Sequence, residues 1–282
     1  METVKQIHVG NMLVGGNGNL FVMAGPCVIE DPERTLNIGR KMKEICERLG
    51  LPYIFKASFD KANRSSYTSY RGPGLKEGLR ILSDIKKELQ VPVISDIHEV
   101  SQVEAAAEVL DVMQIPAFLC RQTDLVEAAA ATGKCVNVKK GQFMAPDDMK
   151  NVVDKIVHTG NENIMLTERG VSLGYHNLVV DMRSFPIMRS LGYPVVFDAT
   201  HSVQLPGGAG TKSSGQRQFI GNLDPRRCRF RYLTAFSWKS MTTRPKRSAT
   251  DRNMLYLSHG RRRPRDMVAI RDIAKNSVST EM

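Results

Sequence analysis

Short runs of β-branched and aliphatic residues recur along the chain, separated by amphipathic stretches. The runs are Leu20–Ala24, Tyr53–Lys56, Val91–Asp96, Val112–Ile115, Val136–Lys139, Ile164–Thr167 and Val195–Asp198. Most are continuously apolar rather than alternating, the pattern of parallel strands covered on both faces. Between them lie "DPERTLNIGRKMKEICERLG", "LKEGLRILSDIKKELQ", "EVSQVEAAAEVL", "TDLVEAAAATG" and "APDDMKNVVDKIVHTG", all with helical spacing. The first opens on an Asp31-Pro32 cap signal and closes at Gly50. This alternation predicts seven β-then-α units, and an eighth strand would close a (β/α)8 TIM barrel. Residues 1–19 predict an N-terminal β-hairpin that covers the barrel bottom. The whole chain, 1–282, is expected to form one barrel domain.

In such barrels the chemistry sits at the C-terminal strand ends. The first run ends in Gly25-Pro26-Cys27. The second ends in Lys56 and Ser58, followed by a loop with Lys61, Asn63, Arg64, Ser65 and Arg71. The third ends in Asp96 and His98, and the fourth in Gln114 with Arg121 beyond. The fifth ends in Lys139-Lys140-Gly141-Gln142, the sixth in Glu168-Arg169-Gly170, and the seventh in Asp198, Thr200, His201 and Gln204. Cations therefore converge from four strand ends. Like charges around one cleft raise the energy of the empty site and favour an anionic occupant. Arg suits bidentate grip of phosphate or carboxylate, while Lys acts as a mobile point charge. The mouth is thus expected to hold phosphate, and more than one anionic group. Cys27 and His201 stand open between a metal pair and ordinary packing residues. His98 stands open between a core hydrogen bond and a functional role. Gly207, Gly208 and Gly210 predict a mobile lid.

Charge changes the picture only locally. The chain carries +11, but residues 222–266 hold 13 Lys/Arg against 3 Asp/Glu, so the remainder carries 11 − 10 = +1. A nearly neutral body without interleaved aromatics argues against nucleic-acid binding. No apolar run approaches the roughly 18 residues of a membrane span. The N-terminal residues are too polar for a secretory signal. Five scattered cysteines without a CxxC pair fit a reducing, cytoplasmic setting.

The stretches "AGPCVIE", "FKASFDKANRSS", "YRGPGL", "QIPAFLCRQTDL", "NVKKGQF", "TERG", "NLVVDMRS" and "DATHSVQLPGG" closely resemble the 3-deoxy-D-manno-octulosonate 8-phosphate synthases, over about residues 20–220. The related 3-deoxy-arabino-heptulosonate 7-phosphate synthases typically carry a "KPRTSP"-like loop where this chain has "KANRSS". The resemblance implies condensation of phosphoenolpyruvate with arabinose 5-phosphate, releasing phosphate, in lipopolysaccharide biosynthesis. It implies that Lys56, Ser58, Lys61, Lys139, Gln142 and Arg169 surround phosphoenolpyruvate. Asn63, Arg64 and Ser65 would hold the sugar phosphate, and Asp96, His98, Gln114 and Asp198 would line the reacting centre, with Gln204 at its edge. Arg121 would reach a neighbouring subunit of a homotetramer. Cys27 in "GPC" implies the metal-dependent branch, with a divalent ion of Fe, Zn or Mn type. Its donors would be Cys27, His201, a Glu on the eighth strand and an Asp near Asp251. The alternative is a relative acting on erythrose 4-phosphate.

From residue 222 the resemblance lapses. Residues 234–239 lack an apolar strand pattern and the metal Glu is missing, so the eighth strand is expected to be disrupted and the sheet edge costly to leave open. Asp251 is one residue out of register. Back-translation of residues 234–252 in a shifted frame permits G-L-F-M-E-V-H-D-D-P, so we read the basic segment as the product of compensated frame shifts. An inactive product is the corresponding expectation.

Overall fold

The computed structural model describes residues 4–16, 20–205, 214–216, 235–241 and 255–256. In chain order these form β1 (Gln6–Val9), β2 (Met12–Gly15), β3 (Phe21–Gly25), α1 (Pro32–Arg48), β4 (Tyr53–Lys56), α2 (Leu75–Leu89), β5 (Val93–Asp96), α3 (Val103–Val109), β6 (Val112–Ile115), α4 (Thr123–Ala131) and β7 (Cys135–Lys139). They continue with α5 (Met149–His158), β8 (Ile164–Glu168), β9 (Val171–Ser172), β10 (Leu178–Val179), α6 (Ser184–Arg189), β11 (Val195–Asp198), β12 (Gln204–Leu205), β13 (Ser214–Gly215), β14 (Ala235–Met241) and β15 (Leu255–Tyr256).

Strands β3 to β8 pair in sequence order, β11 joins β8, and β14 bridges β11 to β3, all in parallel. The result is a closed eight-stranded barrel. The seven sequence-predicted strands match, with ends moved by two residues or fewer. α6 and the β9–β10 hairpin were not among the predicted patterns; both are too short to show a period.

At the eighth position the strand pattern is disrupted, as expected, and its main chain still pairs with both neighbours. The disruption lies in the sequence pattern and not in the backbone pairing. Ala235 to Lys239 pair with Phe21 to Gly25, and Ala235 to Ser237 pair with Val196 to Asp198. Hydrogen bonds between strands are made by the main chain, so two neighbouring strands can hold a third that lacks an apolar run.

Local sequence explains the elements. The Asp31 carboxylate caps α1 by accepting from the Arg34 N–H at 2.7 Å, and Ile38, Met42 and Ile45 form its buried stripe. α2 ends at Gln90, whose φ of 52° breaks the helix. An outer apolar layer joins helices to strands. A separate inner layer packs Ile7, Val9 and Val14 of the hairpin against Phe21, Met23, Ile54, Ile94, Val112, Cys135, Met165 and Val196. The hairpin therefore plugs the barrel bottom, as expected.

The period of two along each strand carries the interior from apolar to charged. Above Ile94, Val112, Cys135 and Met165 come Asp96, Gln114, Asn137 and Thr167, all buried, and then Lys139 and Arg169. This gradient points Asp96, Lys139 and Arg169 toward the C-terminal mouth.

Candidate active site at the barrel mouth

Lys56 ends β4, and its Nζ donates to Ser237 Oγ of β14 at 2.9 Å. Burial and the neighbouring Lys139 ammonium push the Lys56 amine down to about 7. Lys61 Nζ donates to Ser58 Oγ at 2.6 Å and to Asp96 Oδ2 at 2.8 Å. Ser58 Oγ also donates to Asp96 Oδ2, at 2.6 Å. Burial alone would raise the Asp96 carboxyl, but Lys61, Lys139 and Lys56 hold it well below the usual carboxylate range. Across the mouth, Lys139 Nζ stands 3.3 Å from Asp198 Oδ2, and His201 Nδ1 lies 2.6 Å from the same oxygen. Burial opposes ionisation of Asp198 too, yet His201 and Lys139 keep it well below its ordinary value.

Lys140 shows why strand alternation matters. It is next to Lys139, faces the opposite side, and is 1% exposed, with Nζ 3.6 Å from Glu168 Oε2. Glu168 Oε1 accepts from the N–H groups of Arg169 and Gly170 and so fixes the turn that presents Arg169. Arg169 is 7% exposed, and its Nη1 has no hydrogen-bond partner. Burial lowers its guanidinium from the ordinary value, partly offset by Asp198 and Glu168. Gln142 Oε1, His98 Nδ1 and Ser202 Oγ are likewise buried without a partner. Burial lowers the His98 imidazole, and its ring packs edge-on to Phe59. A buried polar atom without a partner costs about 1–3 kcal/mol, so an incoming polar ligand that meets these atoms gains that much at each.

The structure therefore brings Lys56, Ser58, Lys61, Asp96, His98, Gln114, Lys139, Gln142, Arg169, Asp198 and His201 to one end of the barrel. Arg64 is close enough to Lys61 to bear on its charge, and its Nε donates to Tyr70 O at 3.1 Å. Asn63 and Ser65 sit exposed on the same loop. Arg71, a loop cation in the sequence, is committed instead to Asp60, with Nε 2.9 Å from Oδ1. Arg121 is exposed, and its carbonyl accepts from Lys155 Nζ at 3.0 Å. Gln204 is half-buried in β12, opposite Gly215. Asp251 and the glycines at 207, 208 and 210 lie outside the described residues.

A divalent catalytic site usually takes three protein ligands. Among the described residues no group of three or more His, Cys, Asp and Glu side chains is placed to hold a metal. Cys27, buried, and His201, part-buried, are two of the implied donors. At the eighth strand, where the resemblance implies Glu, Trp238 and Lys239 pair with Ala24 and Gly25. The described residues do not complete the implied site.

Sequence reasoning missed Ser237, Asn137, Thr167 and Ser202. The first lies in a segment whose pattern is broken. Asn137 and Thr167 were readable as polar residues inside apolar strands, a signal of buried hydrogen bonding.

The DAHP synthetase I family matches residues 3–220. A 2-dehydro-3-deoxyphosphooctonate aldolase of Trichlorobacter lovleyi is 65% identical over 219 residues, covering 78% of this chain and 80% of the relative. Proteins of the same name from Geobacter sp. and Geobacter sulfurreducens are 66% and 61% identical over 216 residues, covering 77% of this chain and 79% of each relative. The family match ends at residue 220, just before the basic segment begins.

Proposed function

The chain belongs to the DAHP synthetase I family, and we propose that its mouth condenses phosphoenolpyruvate with D-arabinose 5-phosphate and water, giving 3-deoxy-D-manno-octulosonate 8-phosphate and phosphate. The chain is an enzyme, a transferase of lipopolysaccharide biosynthesis. The observation that carries the site assignment is the partnerless, buried Arg169 Nη1, whose guanidinium shares the Asp198 carboxylate with Lys139 and Lys56. A buried guanidinium with a free donor is complete only when an anion arrives.

In the reaction, C3 of phosphoenolpyruvate attacks the aldehyde carbon of the sugar while water adds at C2. The tetrahedral intermediate then expels phosphate by C–O cleavage. Arg169, Lys139, Lys56 and Gln142 bind the phosphate and carboxylate of phosphoenolpyruvate. Lys61 and Ser58 are held by Asp96 at the place where the aldehyde oxygen gains charge. Fixed cations in a site closed to bulk water stabilise that charge without reorganising. Asn63, Arg64 and Ser65 take the distal sugar phosphate. The loop that carries them reads "KANRSS" and favours the five-carbon aldose over erythrose 4-phosphate.

Three further parts of the proposal are separable. A homotetramer is supported by Phe118, Phe143 and Leu173, large apolar side chains exposed by 56%, 61% and 62% after β6, β7 and β9. Light scattering reads it. A cytoplasmic location fits four buried cysteines outside any disulfide, and among the described residues no helix is long and apolar enough to cross a membrane. A divalent ion at Cys27 and His201, completed by Asp251, is tested by metal analysis of the purified chain and of Cys27→Ala. Phosphate release with both substrates, and the mass of the product, test the reaction itself. We expect release that requires arabinose 5-phosphate. Release with erythrose 4-phosphate alone, or with neither aldose, overturns the assignment.

A further inference from the structure

A line of buried hydrogen bonds crosses the barrel interior beneath the mouth. Thr167 Oγ1 of β8 donates to Asn137 Oδ1 of β7 at 2.7 Å. Asn137 Nδ2 donates to Gln114 Oε1 of β6 at 3.0 Å. Gln114 Nε2 donates in turn to Asp96 Oδ1 of β5. The other oxygen, Asp96 Oδ2, accepts from Ser58 Oγ at 2.6 Å and Lys61 Nζ at 2.8 Å. Thr167, Asn137 and Gln114 are each 0% exposed. The strand register puts Gln114 beside Asp96 and Asn137 beside Gln114, so the line needs no bend in the backbone.

Every donor in this line points the same way, toward the carboxylate. Aligned hydrogen bonds polarise one another, and the last one meets a full negative charge, where it is strongest. Apolar residues of similar volume would fill the same layer without the desolvation cost of three polar groups. Neither Asn137 nor Thr167 reaches the mouth. Whatever they do for the site, they do through Gln114.

We infer that Thr167 and Asn137 are positioning residues for the reaction, a one-way relay that fixes the Gln114 amide and thereby assigns one oxygen of Asp96 to the barrel wall and the other to Lys61. The relay rests on the proposed function in that Lys61 and Ser58 meet the aldehyde. Asp96 is also faced by Lys56 of β4, Lys139 of β7 and the His98 ring beyond β5. These charges hold Asp96 ionised with or without the relay. The relay decides which oxygen each partner receives, and adds its own share to the ionised form.

The test uses Thr167→Val and Asn137→Leu, near-isosteric losses at the far end and the middle, with Thr167→Ser as the conservative rescue. In steady-state assays with both substrates we expect kcat to fall about threefold to tenfold in Thr167→Val and about tenfold to hundredfold in Asn137→Leu. The first is the range for losing one neutral hydrogen bond, and the second for losing two and leaving Gln114 Oε1 buried without a donor. KM for phosphoenolpyruvate should stay within about twofold and Thr167→Ser should match the unaltered chain. In a Gln114→Leu background, Thr167→Val should add nothing, because the path to Asp96 is already cut.

A second readout needs no turnover. Asp96 has a folded pKa below its unfolded one, so its contribution to stability is present above the unfolded value and lost as pH falls through the folded one. Cutting the relay shrinks that contribution. Urea unfolding carried from pH 7 into acid below the ordinary carboxylate range should therefore show the variants weakest relative to the unaltered chain at neutral pH, with the gap closing only as pH falls toward the folded Asp96 value. A gap independent of pH, an unchanged kcat, or additive effects in the Gln114→Leu background overturn the relay. Loss of turnover in the unaltered chain overturns the functional reading, and the urea series still decides the relay.

Discussion

Lys56 makes the site's electrostatics measurable. Its amine is pushed from an ordinary 10.5 to about 7, first by burial and then by the Lys139 ammonium. That difference corresponds to about 5 kcal/mol against the charged form at 1.36 kcal/mol per pH unit. At pH 8 about nine-tenths of the free amine is neutral. Phosphoenolpyruvate brings a carboxylate and a phosphate that is already dianionic at that pH. Placing these charges beside Lys56 returns its pKa toward the ordinary value, so binding should take up about 0.9 proton per site. Calorimetric titration with phosphoenolpyruvate alone, in buffers of different ionisation enthalpy, reads this number directly. Lys56→Met should abolish the uptake. Lys139→Met should reduce it, because removing the neighbouring ammonium lets Lys56 stay charged in the free enzyme. The unliganded chain carries the matching stability effect. The folded pKa lies below the unfolded one, so the native state binds fewer protons between about 7 and 10.5, and stability rises with pH across that window. Uptake below about 0.2 proton, or uptake that survives in Lys56→Met, refutes the account.

Two more outcomes follow from the same geometry. Ser237→Ala removes the acceptor that Lys56 holds at 2.9 Å; the amine should titrate lower still, and kcat/KM should fall about threefold to tenfold, both read from pH profiles, while an unchanged profile rejects the contact. Gly25→Ala would put a Cβ 2.0 Å from the Lys56 carbonyl oxygen, which is main chain and cannot rotate away; β4 must shift, and we expect a loss of about 1–3 kcal/mol in urea unfolding together with at least tenfold lower kcat.

The barrel was legible because parallel strands buried on both faces write continuous apolar runs, and the intervening helices carry caps and stripes. Val112–Ile115 needed no correction at all. The mouth was legible for a related reason. In a parallel barrel the last inward residue of each strand faces the site, so Lys56, Asp96, Lys139 and Asp198 could be read from strand ends. Residues held by tertiary partners were not legible. Arg71 looked like a ligand for phosphate, and only the structure shows it spent on Asp60. Thr167 and Asn137 sit one layer below the strand ends, where hydrogen bonding depends on register between strands distant in sequence. Ser237 was hidden because its segment has no apolar run to mark it.

That segment shows what a closing strand must supply. β14 sits between β3 and β11, and both neighbours offer a full edge of main-chain donors and acceptors. Leaving those edges open inside a barrel costs more than accepting an imperfect strand, because each unpaired buried group forfeits its hydration. Pairing is therefore insensitive to the side chains that the shifted pattern brings. The interior position is not insensitive. Ser237 is 1% exposed and lies level with Met23 and Asp198, directly within reach of Lys56. A bulky apolar side chain there would leave the Lys56 amine without an acceptor in a site where burial already opposes its charge. A small hydroxyl satisfies it. The chain's eighth strand thus contributes a neutral acceptor for a lysine one position before Trp238 and Lys239, where the family resemblance implied a carboxylate for a metal.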